Sequence, residues 1–379
     1  MAVSSIRIGL FLGATIPEAA PRFIAESLQS AEITQSDEGP STFQLSFHAD
    51  RAPGMSTDYA LLSSPLLKPT TRVALTVALN GTAQVLMDGF ITRQELTHEA
   101  ASGAATLSVT GEDVSVMMDL EEVSTEFPDM SDPIIAAVVL AKYMVLGVLP
   151  EIPDPIGLVP IVIDRTPQQN STDRAYLKQL ARPHGYVFYV KPGPVMMMNT
   201  AYWGPPMRIG MPQKALTVDM GPATNVDSIS FQYNALAPNL LHGMVQDTET
   251  DIDLPVLTLT GMRMPPFASD PAIVVNQPFV RNIQFTDPRL GALGAYEYAQ
   301  AATDMSTDKV VVAQGEVDTL RYGSILSAPG LVGVRGVGLS YDGIYYLQSV
   351  THRLSRNGYK QQFVLNREGT GTLTPEVIP

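Results

Sequence analysis

The sequence holds 379 residues, more than one small module needs, which predicts two or three domains. Hydrophobic residues make up 45% and charged residues 16%, so we expect a folded chain, and 30 prolines favour turns and short strands over long helices. The net charge of −14 disfavours binding to a nucleic-acid backbone, and the lack of cysteine excludes disulfides, thiolate metal sites and cysteine nucleophiles.

Alternating apolar residues in the first third of the chain are typical of half-buried strands. They occupy Thr42 to Phe47, Val73 to Leu79, Val85 to Leu96, and the stretch with Leu107 and Val109. Asn80-Gly81 suits a two-residue hairpin because both residues tolerate a positive φ. Ile8 to Ala14 is apolar, but Pro17 follows soon, so a structured N-terminus is favoured over a signal peptide. We predict a first antiparallel β-barrel over residues 1–113.

Residues 114–205 change to an α/β pattern. A helix is predicted from 133 to 146, capped by Asp132 and ended by Gly147. Its apolar run is too short to cross a bilayer, so no membrane span is expected. A strand follows at Val159 to Ile163. Ser171-Thr172-Asp173 then caps a second helix that stops at Pro183 and Gly185, and Tyr186 to Val190 continues as a strand.

Strand patterns return in the C-terminal part: Val310 to Ala313, Leu331 to Leu339, Ile344 to Leu354, and Phe363 to Leu365. Leu216 to Tyr233 is the nearest counterpart of the first barrel's strands near Phe23 to Phe47. Asp342-Gly343 and Asn357-Gly358 are predicted hairpin turns, and Leu293 to Ala302 a helix. We assign residues 206–240 and 304–370 to a second β-barrel, 241–303 to an insertion that packs with the middle domain, and 371–379 to a tail. The predicted fold class is α+β and β-rich, with two similar antiparallel β-barrels and an inserted small α/β domain.

An internal repeat supports the two barrels. Asp88 to Glu99 aligns without gaps to Asp342 to Arg353, with Asp, Gly, Gln, Thr and His in common. A glycine-bearing turn, at Gly103 or Gly358, and an alternating strand follow each copy. We therefore predict that both segments begin at a tight turn and run as equivalent strands, which places His98 and His352 at corresponding positions.

No residue pattern predicts a catalytic, cofactor or metal site. The five histidines are scattered, so a zinc site is not expected, and a strand-end structural role is favoured for His98 and His352. Gly330 to Gly338 lacks the context of a dinucleotide site. The acidic loop Asp247 to Asp253 is similar to a calcium loop, but it has Ile252 in place of the glycine and no glutamate at position twelve, so a solvated loop is favoured. The carboxylates Glu121, Glu122, Asp129 and Asp132 are candidates for a glycosidase pair, but nothing in the sequence fixes their separation, and Asp129 and Asp132 also suit a helix start. Met196 to Met198 with Trp203 suit either a binding surface or a core contact.

A motif in the second predicted helix resembles the phage late control protein D, or baseplate hub, family. It runs from Gln169 through Ser171-Thr172-Asp173, Tyr176-Leu177, Leu180-Ala181 and Gly185-Tyr186 to Phe188 and Val190. Pro21 to Phe47 is similar to the family's opening strands, and Asp342 to His352 to its closing barrel. The resemblance covers most of the chain and includes the first part of type VI secretion spike proteins.

The resemblance implies a homotrimer whose two barrels per chain form a pseudo-sixfold ring, joining a sixfold inner tail tube to a threefold spike. It implies a structural, non-enzymatic protein without cofactors, assembled in the cytoplasm into the baseplate of a virion tail or injection particle. Its partners would be the tube protein, other baseplate proteins and a separate spike protein, since the sequence stops after the second barrel. DNA or effector cargo would pass an acidic lumen without specific binding. A tail-tip cell-wall hydrolase and a receptor- or carbohydrate-binding tail module are the alternatives.

Overall fold

The computed structural model describes residues 6–49, 59–98, 105–153, 166–246, 252–276, 279–285 and 292–373. The predicted strand Val159 to Ile163, Gly103 and most of the acidic loop from Asp247 lie outside these ranges. Strands account for 50% and helices for 21% of the structure, which confirms a β-rich fold. The described helices include none long and apolar enough to span a bilayer.

Strands dominate the first third of the chain. In order, its elements are β1 Ile6–Gly13, β2 Glu18–Ala19, α1 Arg22–Ser27, β3 Leu28–Ser36, β4 Thr42–Ala49, α2 Ala60–Ser63, β5 Arg72–Leu79, β6 Thr82–His98 and β7 Ala105–Asp113. β1 contains most of the apolar run that begins at Ile8, and it pairs antiparallel with β5. A two-residue loop joins β5 to β6, with φ of 53° at Asn80 and 90° at Gly81, so the predicted hairpin is confirmed.

The middle of the chain mixes short strands and helices: β8 Glu122–Glu126, α3 Asp132–Ala141, β9 Val148–Glu151, β10 Gln168–Thr172, α4 Asp173–Ala181, β11 Val187–Pro192 and β12 Asn199–Gly204. Thr172 caps α4 by accepting the N–H of Ala175 at 3.2 Å, as the sequence predicts. Asp132 does not cap α3. It is the first residue of that helix, and its carboxylate pairs with His184 at 2.8 Å instead.

The C-terminal part contains β13 Gln213–Thr217, β14 Ser228–Tyr233, β15 Asn239–Gln246, β16 Asp253–Leu257, β17 Ala268–Pro271, α5 Ala272–Val275, β18 Arg281–Phe285, α6 Ala292–Thr307, β19 Val311–Asp318, α7 Thr319–Tyr322, β20 Gly330–Arg335, β21 Gly343–Ser355, β22 Gly358–Arg367 and β23 Gly369–Thr372. β20 ends earlier than the predicted Leu339, since Gly336 and Gly338 adopt positive φ. The predicted helix at Leu293 is present as α6.

One sheet of 13 strands runs through both ends of the chain, in the order β14-β19-β22-β21-β3-β4-β7-β6-β5-β1-β2, and β13 joins it through β20. Among the described strands no pairing closes this sheet, so two closed barrels are not observed. The smaller sheets are β10-β8, β11-β12-β9, β16-β15-β18 and β17-β23.

The large sheet contains the same arrangement twice. The order β3-β4-β7-β6-β5-β1 in the first repeat corresponds to β14-β19-β22-β21-β20-β13 in the second, and the chain visits the strands in the same sequence both times. One pairing differs, because β1 is antiparallel to β5 whereas β13 is parallel to β20. A five-residue turn joins β3 to β4, whereas residues 234–310 separate β14 from β19.

Strand registers agree with the gap-free sequence alignment. His98 faces Ala105 in the first repeat, and His352 faces Gln361 in the second. Two residues earlier, Leu96 faces Leu107 and Val350 faces Phe363. Because the paired residues keep the same spacing in both repeats, β6 and β21 are equivalent strands, as predicted.

The prediction of a tight turn at Asp88 is wrong. Asp88 is the seventh residue of β6, and its buried side chain is held inside the strand by Arg72. Asp342 also does not form a two-residue hairpin, since residues 336–342 connect β20 to β21. A two-residue hairpin is present next to the predicted Asn357-Gly358, one residue earlier: Ser355 pairs with Gly358, so Arg356 and Asn357 form the loop.

Separate hydrophobic clusters fill the regions of the chain. Phe47, Val77 and Leu107 lie in the first repeat, and Val332, Tyr345 and Phe363 lie in the second. The middle segment buries Trp203 between its helices and its strands. Leu354 and Tyr359 of the second repeat pack into the cluster of the first, so the two repeats share part of their core.

Candidate functional site

The two repeats meet along one strand pair, which we call the junction. Its seven residue pairs join Ser349–Ser355 of β21 to Ser30–Ser36 of β3 in antiparallel register. The Oγ1 atoms of Thr34 and Thr351 lie 3.0 Å apart, and Arg353 pairs with Glu32 at 3.3 Å. Backbone pairing over this length makes the two repeats one continuous sheet.

Buried polar side chains fix the junction further. The amide of Gln35 donates to the carbonyl of Leu86 at 2.9 Å and accepts the N–H of Ala328 at 3.1 Å, so one side chain bridges both repeats. Asp37 accepts the hydroxyl of Tyr346 at 2.6 Å. Burial raises the pKa of Asp37 to about 6, although the hydrogen bond from Tyr346 opposes the shift.

The equivalent histidines have opposite environments. His352 is completely buried, its Nδ1 lies 2.8 Å from the hydroxyl of Tyr359, and burial lowers its pKa to about 3. His98 is exposed, and its Nδ1 lies 3.3 Å from the hydroxyl of Tyr59. The difference follows from the neighbouring strand, since β3 covers the edge of β21 at His352.

A cavity of about 410 Å³ lies beside the junction, between the middle segment and the residues near α6. Arg208 pairs with Asp308 at 3.1 Å and with Glu368 at 3.2 Å, and Arg263 also pairs with Asp308 at 3.1 Å. Arg208 and Arg263 are therefore both paired with carboxylates of the same chain. These ion pairs at the cavity connect segments that are far apart in the sequence.

A second buried ion pair connects the first repeat to the middle segment. Arg72 donates to both carboxylate oxygens of Asp88 at 2.7 and 2.8 Å, and to the carbonyl of Leu146 at 3.0 Å. Asp88 also accepts the backbone N–H of Met197 and the side-chain amide of Asn199, both at 3.0 Å. Both charged side chains are inaccessible to solvent, and each has charged or polar partners.

Glu122, Asp132 and Trp203, which belong to the candidate sets of the sequence, lie in different settings. Glu122 begins β8 on the surface, whereas Asp132 is committed to His184. Trp203 is buried in the middle cluster and donates to the carbonyl of Leu177 at 3.0 Å. Within the described ranges, no group of three or more histidine, aspartate or glutamate residues is placed to hold a metal ion.

Sequence reasoning missed three of these contacts: the Arg72–Asp88 pair, the Asp132–His184 pair and the junction itself. The partners lie 16, 52 and more than 300 positions apart, so no local pattern connects them. A signal for the junction was the length of the apolar pattern in β21, since this strand is longer than its partner β20 and its second half needs another partner strand.

No protein-family model and no curated protein matches the chain. Solved structures do match over nearly its full length. The 43 kDa tail protein of prophage MuSo2 from Shewanella oneidensis is 15% identical, with a TM-score of 0.65 over 96% of this chain and 99% of that one. A tail protein from Neisseria meningitidis MC58 is 14% identical, with a TM-score of 0.63 over 96% and 97%.

A third match is an E. coli component of the type VI secretion system, itself structurally similar to the T4 bacteriophage tail proteins gp27 and gp5. It is 12% identical, with a TM-score of 0.55 over 93% of this chain and 77% of that one. At these identities the matches establish the fold and nothing finer. The chain therefore has the fold of phage tail proteins and of a type VI secretion component, as the resemblance to the baseplate hub family predicted.

Proposed function

We propose that the protein is a structural hub of a contractile tail or contractile injection particle, and that three copies form a ring joining a sixfold tail tube to a threefold spike. The observation that carries the proposal is the recurrence of one six-strand order twice in the chain. Three chains with two such repeats each provide six similar positions around one axis. A tube with sixfold symmetry needs six similar surfaces, and a threefold spike needs three identical ones.

The proposed domains follow the repeats. Residues 1–113 form the first barrel, and residues 206–240 with 304–370 form the second. The middle domain 114–205 and the insertion 241–303 then lie outside the ring, with 371–379 as a tail. Each barrel is completed by strands of neighbouring repeats, which is consistent with the open sheet of the single chain.

A non-enzymatic role fits both the fold and the ion pairs. The matching structures are tail proteins and a secretion-system component, and Arg208 and Arg263 at the cavity are paired with carboxylates of the same chain. Three copies of a chain with a charge of −14 carry −42, so DNA or acidic cargo would be repelled from an acidic lumen wall. The proposed partners are the tube protein, a spike protein and other baseplate proteins of a virion or injection particle.

The decisive experiment is the mass and shape of the purified protein. Light scattering is expected to give three times 40.9 kDa, and electron microscopy is expected to show a ring with six similar lobes viewed along its axis. A persistent monomer at high concentration, or a ring with a number of copies other than three, contradicts the proposal.

A further inference from the structure

β6 and β21 are long equivalent strands with unequal neighbours. The first half of β21 pairs with β20 and its second half with β3. The first half of β6 pairs with β5 in the same way. From Thr92 to His98, however, β6 has β7 on one side and no described strand on the other.

β14 has the complementary property. It is the counterpart of β3, and it lies at one end of the large sheet with β19 as its only described partner strand. Its six residues carry no charge, and four of them are exposed. An uncharged, exposed edge of this kind is a ready site for another strand, because it lacks the charged side chains that commonly protect such edges.

We propose that β14 of one copy pairs antiparallel with the second half of β6 of the next copy, in the register that β3 and β21 use at the junction. The proposal rests on the trimer proposed above and names the strands that hold it together. The internal junction is the template, since it joins the two strands equivalent to β14 and β6 within one chain.

The register follows in three steps. Leu107 is equivalent to Phe363, because they face the equivalent residues Leu96 and Val350. Four residues further along, Gly111 is equivalent to Arg367. Gly111 pairs with Phe43, and Arg367 pairs with Val311. Phe43 faces Ile33 of β3, whereas Val311 faces Tyr233 of β14, so Ile33 and Tyr233 are equivalent. Ile33 faces His352 at the junction, so Tyr233 is placed opposite His98 of the next copy.

The neighbouring pair joins Thr97 to Asn234 and corresponds to Thr351 and Thr34. Asn234 extends the β14 ladder by one residue, since its N–H donates to the carbonyl of Val310 at 2.8 Å. Its backbone therefore faces β19, which makes the outer side of Asn234 a non-hydrogen-bonded position with closely spaced side chains. The 3.0 Å contact between the threonine hydroxyls at the junction shows the same close spacing.

Each copy offers one β14 edge and one β6 edge, so copies would associate head to tail. Such contacts close into a ring when the rotation between copies divides a full turn. Within that ring, internal junctions alternate with intermolecular ones. Three copies then give six strand-pair connections of one kind, which is the arrangement that the proposed symmetry requires.

The test uses engineered cysteines, because the chain has none of its own. The variant with Thr97→Cys and Asn234→Cys is oxidised and analysed on non-reducing gels. The matched control carries Thr34→Cys and Thr351→Cys, the equivalent positions of the internal junction. A slipped pair, Thr97→Cys with Phe231→Cys, moves one partner by three residues, about 10 Å along the strand.

We expect the Thr97/Asn234 variant to give covalent dimers and trimers, the junction control to stay at the mass of one chain with an internal bond, and the slipped pair to cross-link at least fivefold less. An equal mixture of the single variants Thr97→Cys and Asn234→Cys should give covalent dimers, which provides a second measurement if the double variant folds poorly.

Light scattering of the reduced samples separates the two proposals. A trimer whose Thr97/Asn234 pair stays reduced while the control pair oxidises overturns the strand pairing and leaves the hub in place. Stronger cross-linking of the slipped pair overturns the register. A monomer without cross-links overturns both the trimer and the pairing.

Discussion

The two repeats share a strand order but differ in what covers one strand edge. In the second repeat β3 lies beside β21, and His352 is completely buried. In the first repeat the corresponding part of β6 has no described strand on the side opposite β7, and His98 is exposed. The comparison shows that the chemical character of a residue in this fold depends on the neighbouring strand more than on its place in the repeat.

Equivalent aspartates illustrate the same point. Asp88 forms a buried ion pair with Arg72 and receives two further hydrogen bonds. Asp342 is half-buried and accepts the N–H of Val337 at 2.8 Å. The aspartate of the first repeat thus connects that repeat to the middle segment, whereas the equivalent aspartate of the second repeat accepts a hydrogen bond within a turn.

The largest expected loss of stability follows from removing the Asp88 carboxylate, and the equivalent change at Asp342 serves as the comparison. Asp88→Ala leaves the Arg72 guanidinium buried without its partner and is expected to cost about 4 kcal/mol. Asp342→Ala removes one acceptor at a half-buried turn and is expected to cost about 1 kcal/mol. Urea unfolding of the two variants measures the difference. Equal losses would show that the anchor role of Asp88 is wrong.

Replacing each of the two equivalent histidines by aspartate should change the free energy of unfolding by different amounts. His352→Asp places a carboxylate in a fully buried position and is expected to cost about 3 kcal/mol. His98→Asp changes an exposed residue and is expected to stay within about 0.5 kcal/mol. Thermal unfolding at pH 7 and low protein concentration measures both. A similar loss at both positions would contradict the exposed setting of His98.

Two glycines should instead behave alike. Gly111 faces Phe43, and a Cβ there would lie 2.2 Å from the carbonyl oxygen of Phe90. Gly315 faces Phe363, and a Cβ there would lie 2.3 Å from the carbonyl oxygen of Ser228. Gly111→Ala and Gly315→Ala are each expected to cost about 2 kcal/mol through overpacking. A loss confined to one variant, seen by chemical unfolding, would mean that close packing of a glycine against an aromatic ring does not stabilise both repeats.

The smallest expected effect concerns Asp37, in the turn that follows β3. The pKa of Asp37 is raised to about 6 by burial, so its contribution to stability is present at low pH and lost as the pH rises through 6. Asp37→Asn is therefore expected to gain on the order of 1–2 kcal/mol over the native protein between pH 4 and pH 7. Parallel unfolding series across that range measure the difference. A constant offset at all pH values would contradict the assignment.

Local features of the fold were predictable because they depend on neighbouring residues. The hairpin at Asn80-Gly81, the cap at Thr172 and the equivalence of β6 and β21 follow from turn chemistry, capping and alternation. Asp88 was misplaced because an Asp-Gly pair also occurs in a strand when a buried arginine pairs with the aspartate. The open sheet was not predicted, since alternation reports which face is buried and carries no information about strand closure.

The candidate site was less predictable, because it consists of contacts between distant segments. Aspartate commonly caps helices, but the carboxylate of Asp132 pairs with His184, which lies 52 positions away in the sequence. Asp37 belongs to a short turn whose sequence gives no sign of the Tyr346 hydroxyl 309 positions away. Such partners become visible only when the topology of the sheet is known.

The separation of the junction strands also sets an order for synthesis. Thr34 and Thr351 are 317 positions apart, and at roughly 5–20 residues per second the ribosome needs about 15–60 s to pass from one to the other. The local strand pairs of the first repeat form early, whereas the outer edge of β3 has to wait for β21. That edge carries Glu32, Thr34 and Ser36, polar residues that keep an unpaired strand soluble during the delay. The side chains that later join the repeats thus first protect the nascent chain from pairing with the wrong strand.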